Sequence, residues 1–186
     1  FTHLILAEKF LEYSCPVNEK QKRDFLVGNL FPDIRQLGEI SRDKTHEKGL
    51  TLEDISYSPS PFTAGMRLHA FVDEVRESFA VRYGIYNWLE EWGPTYKTSL
   101  LKLVEDEILY DLKDPHCFPP FFEEVLEEEI AWGSSLSCAE EWHRSCQYYL
   151  SQRPRDFFLQ LANQQLPFLN VPPQIVQLWS EEIPRL

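Results

Sequence analysis

The stretch PFTAGMRLHAFVDEVRESFAVRYG, residues 61 to 84, constrains the fold of this chain more than any other segment. Pro61 suits the first position of a helix and Gly84 suits a helix end, while the apolar residues between them recur at helical spacing. The pattern predicts a long helix on which Phe62, Met66, His69, Val72, Asp73 and Arg76 share a face. That face is otherwise apolar, so an imidazole and a carboxylate would enter a packed interior, where ionisable groups are costly unless a cation or a partner compensates them. Helix positions i and i+4 hold their Cβ atoms roughly 5–6 Å apart, so His69 and Asp73 can close on one metal ion. A lone HxxxD pair is weak ground for a metal site, since most such pairs are surface contacts or satisfied core histidines. Its weight comes from its company: three of only five histidines, His3, His46 and His69, fall in the first seventy residues, with Asp33 in GNLFPDI between them.

The rest of the chain also reads as helical. Thr2 is placed to cap a first helix reaching about Ser14, with Leu4, Ile5, Ala7, Phe10 and Leu11 as its apolar stripe. A second helix runs from about Glu19 to Leu30, stops at Gly28 and the Phe31-Pro32 break, and leaves Asp33 in a turn. Residues 35 to 60 are irregular with short helical turns and close with SPSP. After Gly84 come a short piece at Tyr86 to Glu91, a helix from about Tyr96 to Leu112, and the Pro-rich connection DPHCFPPFF. Further helices are expected near Phe121 to Ala131, Ala139 to Ser151, Arg155 to Gln165 and Pro173 to Glu182. No alternating strand pattern, internal repeat or low-complexity tract interrupts this series. The expectation is a single all-α domain over residues 1–186, a helical bundle.

Composition narrows the function. With 186 residues, 43% hydrophobic and 14% aromatic, the chain can bury one substantial core and does not read as disordered. The net charge of −12 argues against binding a nucleic acid backbone, because that binding comes from Lys and Arg displacing counterions. The charge is uneven: residues Lys20 to Lys48 carry seven basic and five acidic side chains, whereas Lys102 to Glu141 is dominated by Glu and Asp, including Glu127, Glu128 and Glu129. The acidic part reads as a solvated face, and an anionic substrate would meet less repulsion in the amino-terminal half. No apolar run approaches the roughly 20 residues needed to span a bilayer, and FTHLILAEKFLEYS is not built like a signal peptide. Cys15, Cys117, Cys138 and Cys146 form no CxxC pair, and Cys138 and Cys146 fall two turns apart on one expected helix, too far to bridge. Without an N-x-S/T acceptor either, a soluble protein of the reducing cytoplasm is expected. There is no G-x-S-x-G elbow, GxxxxGK[ST] loop, HExxH or paired Cys and His. His116 and His143 remain open as ligands from the second half, although lone histidines are more often surface or capped residues. Trp88, Trp92, Trp132, Trp142 and Trp179 are core residues by default, or a partner surface if the chain is an interaction module.

Taken together, FTHLILAEKFLE, FLVGNLFPDI, SRDKTH and AGMRLHAFVDE resemble the zinc-dependent phospholipase C family and its nuclease relatives. The family pattern is an early TH, a G-x-x-x-PD turn, a following TH and a helix carrying HxxxD. The resemblance covers about the first eighty residues and implies an all-α fold of that type with a clustered Zn²⁺ site. It places Asp33, His46, His69 and Asp73 around one ion, and His3 with a bridging Asp73 around a neighbour. It implies hydrolysis of a phosphate ester by metal-activated water, the substrate being a phosphodiester in a small molecule or a phospholipid. Asp33 would orient or deprotonate the water, and Arg76, with Arg42 as a looser candidate, would contact substrate oxygens.

The chain departs from the full trinuclear pattern. After Asp73 it reads EVRESFAVRYG, with no following histidine and no His-x-x-x-Glu, and it begins with Phe1 in place of the leading Trp whose amino group serves as a ligand. One or two ions are therefore expected, zinc or another divalent metal, with Glu107 and Asp111 as candidate substitutes for the missing pair. A second resemblance rests on THL, GNLFPD and AGMRLHAFVD and points to acyl-carrier-protein phosphodiesterases, which also hydrolyse a phosphodiester with a metal ion. Their substrate is strongly acidic, a poor electrostatic match for a chain of charge −12. A non-enzymatic module that kept the fold and one structural ion is the third reading.

Overall fold

The computed structural model describes residues 1–14, 17–89, 97–163 and 172–182. Its helices in chain order are α1 Thr2–Ser14, α2 Glu19–Leu30, α3 Arg42–Thr45, α4 Leu52–Ser56, α5 Pro61–Arg82, α6 Ile85–Trp88, α7 Lys97–Tyr110, α8 Glu127–Ala131, α9 Leu136–Leu150, α10 Pro154–Asn163 and α11 Pro173–Glu182. Short 3-10 segments cover Phe31–Leu37, Pro115–Cys117 and Pro119–Phe122. The described residues contain no strand, so the fold is all-α. No helix among them is long and apolar enough to cross a membrane. Among the residues named above, Cys15, Glu91, Trp92, Tyr96, Gln165 and the side chain of Trp179 lie outside the described set.

The long central helix forms where the sequence places it. The Ser60 hydroxyl accepts a hydrogen bond from the Thr63 amide at 3.2 Å, Pro61 occupies the first turn, and Gly84 follows the end with φ of 64°. α2 opens with a capping box in which Asn18 and Gln21 satisfy each other's backbone amides. α1 begins differently from the expectation: Thr2 is its first helical residue, and the cap comes from another element. Asp106 on α7 accepts from the Thr2 amide at 2.8 Å and from its hydroxyl at 2.6 Å, fixing the start of α1 against α7.

Gly28 does not stop α2. It lies inside that helix, and its lack of a side chain lets α2 meet α5 at backbone contact: a Cβ on Gly28 would overlap the Phe62 carbonyl and lie 2.8 Å from Phe62 Cα. Gly65 does the same from the other side, where a Cβ would sit 2.7 Å from the Asn29 nitrogen. The main core forms around this crossing, with Leu4, Phe25, Leu26, Phe31, Ile34, Phe62 and Met66 packed against Phe118, Phe122 and Leu150.

One helical segment differs from its sequence pattern. The expected helix over Phe121 to Ala131 divides into a 3-10 turn, Pro119–Phe122, and α8, with Leu126 between them in an extended conformation. On α7, Leu100, Leu101 and Leu103 enter the core and Val104 packs partly against it, while Ile108 remains 59% exposed. Glu129 is fully buried and not part of a solvated acidic face. It accepts from the Leu126 amide at 2.8 Å and stands 3.0 Å from His143 Nε2. Trp142 is buried, whereas Trp88 and Trp132 are exposed.

Candidate metal centre

Four segments deliver the five predicted side chains to one place. His3 is the second residue of α1, whose start Asp106 holds. Asp33 sits in the 3-10 turn after α2, anchored by the buried Phe31 and Ile34 on either side. His46 directly follows α3. His69 and Asp73 lie one turn apart on the buried face of α5.

Local contacts decide which ring atoms are free. The Asn29 carbonyl can only accept, so His69 Nδ1 donates to it at 2.8 Å and Nε2 is left with its lone pair. The Asn29 side chain in turn donates to the Gly65 carbonyl at 3.2 Å, so the glycine crossing also sets the angle of the His69 ring. The Thr45 hydroxyl donates to the Arg42 carbonyl, and His46 Nδ1 donates to Thr45 Oγ1 at 3.0 Å, which frees Nε2 again. Such outer contacts orient ring ligands in metal sites.

The free atoms converge. His3 Nε2 stands 3.3 Å from Asp73 Oδ1, His46 Nε2 3.8 Å from Asp73 Oδ2, and His69 Nε2 3.9 Å from both Asp33 Oδ2 and Asp73 Oδ2. The His3 and His69 rings stack with centroids 3.9 Å apart, and His46 meets His69 edge-on at 5.2 Å. One donor atom each from His3, His69 and Asp73, and one each from Asp33, His46 and His69, lie within 4.8 Å of one another. For bond lengths of about 2.0–2.1 Å the edges of a zinc tetrahedron are about 3.3–3.4 Å, so modest closure would complete a coordination shell. His69 belongs to both groups, so the two sets of donors share that ring and lie side by side.

The donor set also passes an independent test of fit. The Nε2 atoms of His3, His46 and His69 are buried and have no hydrogen-bond partner, the His3 approach to Asp73 being too poorly aligned to count as one. Orphaned buried polar atoms are uncommon, and three imidazole nitrogens facing two carboxylates make a donor set that a divalent cation would satisfy. Burial, joined by the charge of Arg42, lowers the pKa of His46 to about 4, and burial lowers His3 and His69 as well. Burial alone would raise the two carboxyls, but His3, Lys102 and His69 outweigh it at Asp73, and His69, Lys102 and His3 do so at Asp33. Both are held well below the usual carboxylate range. Neutral imidazoles and ionised carboxylates are the protonation states a metal ion requires.

Arg76 lies on the same face but binds Asp73 Oδ1 at 2.6 Å, with Glu105 at 3.5 Å behind it. Arg42 is half exposed and stands 3.6 Å from Asp73 Oδ2. The structure adds two cations that sequence reasoning missed, Lys102 at 3.4 Å from Asp73 Oδ1 and Arg35 at 3.7 Å from Asp33 Oδ1. The other suggested donors are elsewhere. Glu107 binds Arg153 at 2.6 Å and Asp111 pairs with the same arginine. His143 is engaged by Glu129 and the Phe122 carbonyl, and His116 is exposed. Arg67 ties Glu47, the Asp54 carbonyl and Ser58 together, away from the cluster.

His3, Asp33 and Asp73 line a cavity of about 600 Å³. What fold and site define is an all-α protein with a buried three-histidine, two-aspartate cluster opening on one side to that cavity. Comparison with family models, with curated proteins and with solved structures found no match.

Proposed function

We propose that this protein is a metal-dependent hydrolase of phosphate esters, built on a helical bundle of the zinc-dependent phospholipase C type and holding Zn²⁺ or a similar divalent ion between His3, Asp33, His46, His69 and Asp73. The observation that carries this reading is the trio of partnerless Nε2 atoms facing two ionised carboxylates, with His3, Asp33 and Asp73 of that cluster lining the cavity. A structural ion is closed off by protein, whereas a catalytic one keeps an accessible side. Access to the cavity therefore favours the enzyme over an inert module.

A bound divalent ion would supply Lewis acidity, lowering the pKa of water and neutralising phosphoryl charge. The chain's own groups do the rest. Asp33, whose side chain is 26% exposed, is the more accessible carboxylate and is placed to orient a water and accept its proton. His69, fixed by Asn29, keeps the cluster rigid. Arg76, Arg42 and Lys102 offer donors to phosphoryl oxygens, and water adds to phosphorus as the alcohol leaves. The sharing of His69 favours one ion over two.

The test is elemental analysis after zinc loading and desalting, followed by chromogenic phosphate-ester assays with and without chelator. We expect about one zinc per chain, a chelator-sensitive turnover, and loss of both in His69→Ala. Zinc content that is unchanged in His69→Ala, or absent from the unaltered protein, sinks the reading.

A further inference from the structure

Three cations crowd one carboxylate at the edge of the cluster. Arg76 Nη2 from α5 lies 2.6 Å from Asp73 Oδ1, Lys102 Nζ from α7 lies 3.4 Å from the same oxygen, and Arg42 Nη2 from α3 lies 3.6 Å from Oδ2. A carboxylate offers about four acceptor sites, and three imidazoles also approach those of Asp73. If Asp73 turns lone pairs to a metal ion, the cations lose acceptors while still bordering the cavity.

The charge count points the same way. Near the cluster, Arg35, Arg42, Arg76 and Lys102 face Asp33, Asp73 and Glu105, and a divalent ion would raise the positive excess from one to three. Glu77 and Asp106 also line the cavity, but Glu77 is bonded to Tyr86, and Asp106 to Thr2 and Tyr149. Even with both counted in full, the metal-loaded wall stays positive. A dianion answers this balance better than a monoanion, and three separate donors suit three terminal oxygens better than two.

Another part of the cavity lining has a different character. It is bounded by Leu103, Trp142, Tyr149, Phe157 and Phe158, and the Tyr149 hydroxyl is already bonded to Asp106. A phosphate group fills only a small part of about 600 Å³. The remainder is shaped for an apolar or aromatic body, the usual composition of a small-molecule pocket with a few convergent polar groups.

We propose that the site takes a phosphomonoester dianion whose alcohol carries a large apolar or aromatic group, with the phosphoryl among Arg42, Arg76 and Lys102 and the apolar part against Trp142, Phe157 and Phe158. This rests on the metal-centre reading and departs from the diester that both resemblances imply, since a diester carries one charge and two terminal oxygens.

The experiment is calorimetric titration of zinc-loaded protein, its zinc content measured beforehand, with three phosphonates that cannot be hydrolysed at phosphorus. They are 1-naphthylmethylphosphonate, its monomethyl ester and methylphosphonate, at a pH where the first and last are dianions. The first should bind at least about ten-fold more tightly than either of the others. Lys102→Met, and separately the half-exposed Arg42→Gln, should erase the preference over the monoanionic ester. Phe158→Ala should erase the preference over methylphosphonate while leaving methylphosphonate affinity unchanged. Thermal melts of each variant show that it is folded. Equal binding of the first compound and its ester overturns the dianion assignment, equal binding of the first and methylphosphonate overturns the apolar chamber, and no binding at all overturns both. A protein that retains no zinc fails in the prior metal measurement, which marks failure of the metal centre itself and takes the proposal with it.

Discussion

His69 commits one ring nitrogen to packing and leaves the other facing the cluster. Nδ1 secures α5 to the end of α2 through the Asn29 carbonyl, and Nε2 faces the cluster without a partner. Asp33 differs from its neighbours in being partly accessible, which separates its proposed role from theirs. Asp33→Asn should therefore leave bound zinc near its original level, because the three histidines and Asp73 still supply four donors, yet lower turnover on the order of 10²–10⁴-fold. Parallel loss of zinc and turnover, measured by elemental analysis and initial rates, would make Asp33 a ligand only. The residues that sequence reasoning could reach were those with a type-specific cue: a histidine and carboxylate at helical spacing, or an aspartate after proline. Lys102 and Arg35 carried no such cue, since a lysine in a mixed helix and an arginine in a turn are ordinary solvent residues until tertiary structure brings an acid to them.

At the scale of elements, the crossing of α2 and α5 is what places the cluster. Both helices were legible because their caps and proline positions agree with their apolar periodicity. The role of Gly28 is not legible in sequence, because inside a helix a glycine that permits backbone contact has the same signature as one that ends a turn. Gly65→Ala tests the crossing directly. Its Cβ would meet the Asn29 backbone, so the helices must part, and overpacking of this kind costs about 1–3 kcal/mol. The same movement pulls the Asn29 carbonyl from His69, so zinc affinity should fall along with the urea midpoint. A variant as stable as the parent with unaltered zinc uptake would show that the contact is dispensable. The start of α1 is set from a distance as well. Asp106→Asn removes the charged cap on Thr2, costs about 0.5–2 kcal/mol as caps commonly do, and should weaken zinc binding through His3. No window around Thr2 could reveal that cap, because its partner is more than a hundred residues away.

For the whole molecule, the cluster is a place where stability is given up in the absence of a ligand. Buried imidazoles held neutral and carboxylates held ionised mean that the metal-free fold resists proton uptake that the unfolded chain accepts readily. His46 illustrates the sign. Its pKa falls from 6.5 in the unfolded reference to about 4 in the fold. The unfolded state therefore binds more protons once the pH drops below about 6.5, and the contribution of His46 to stability, complete above that value, is lost progressively towards pH 4. Chelator-treated protein should show a denaturant midpoint that declines across this window, with His3 and His69 adding to the fall. Zinc bound to the folded state alone should work in the opposite direction at neutral pH, adding about 4 kcal/mol at a concentration about 1,000 times Kd. That gain should shrink on acidification, since protons compete for the same Nε2 atoms. Equilibrium unfolding with and without zinc over this range distinguishes the outcomes: a midpoint insensitive to both acid and zinc would mean that burial does not hold these histidines neutral and that no ion joins the four segments.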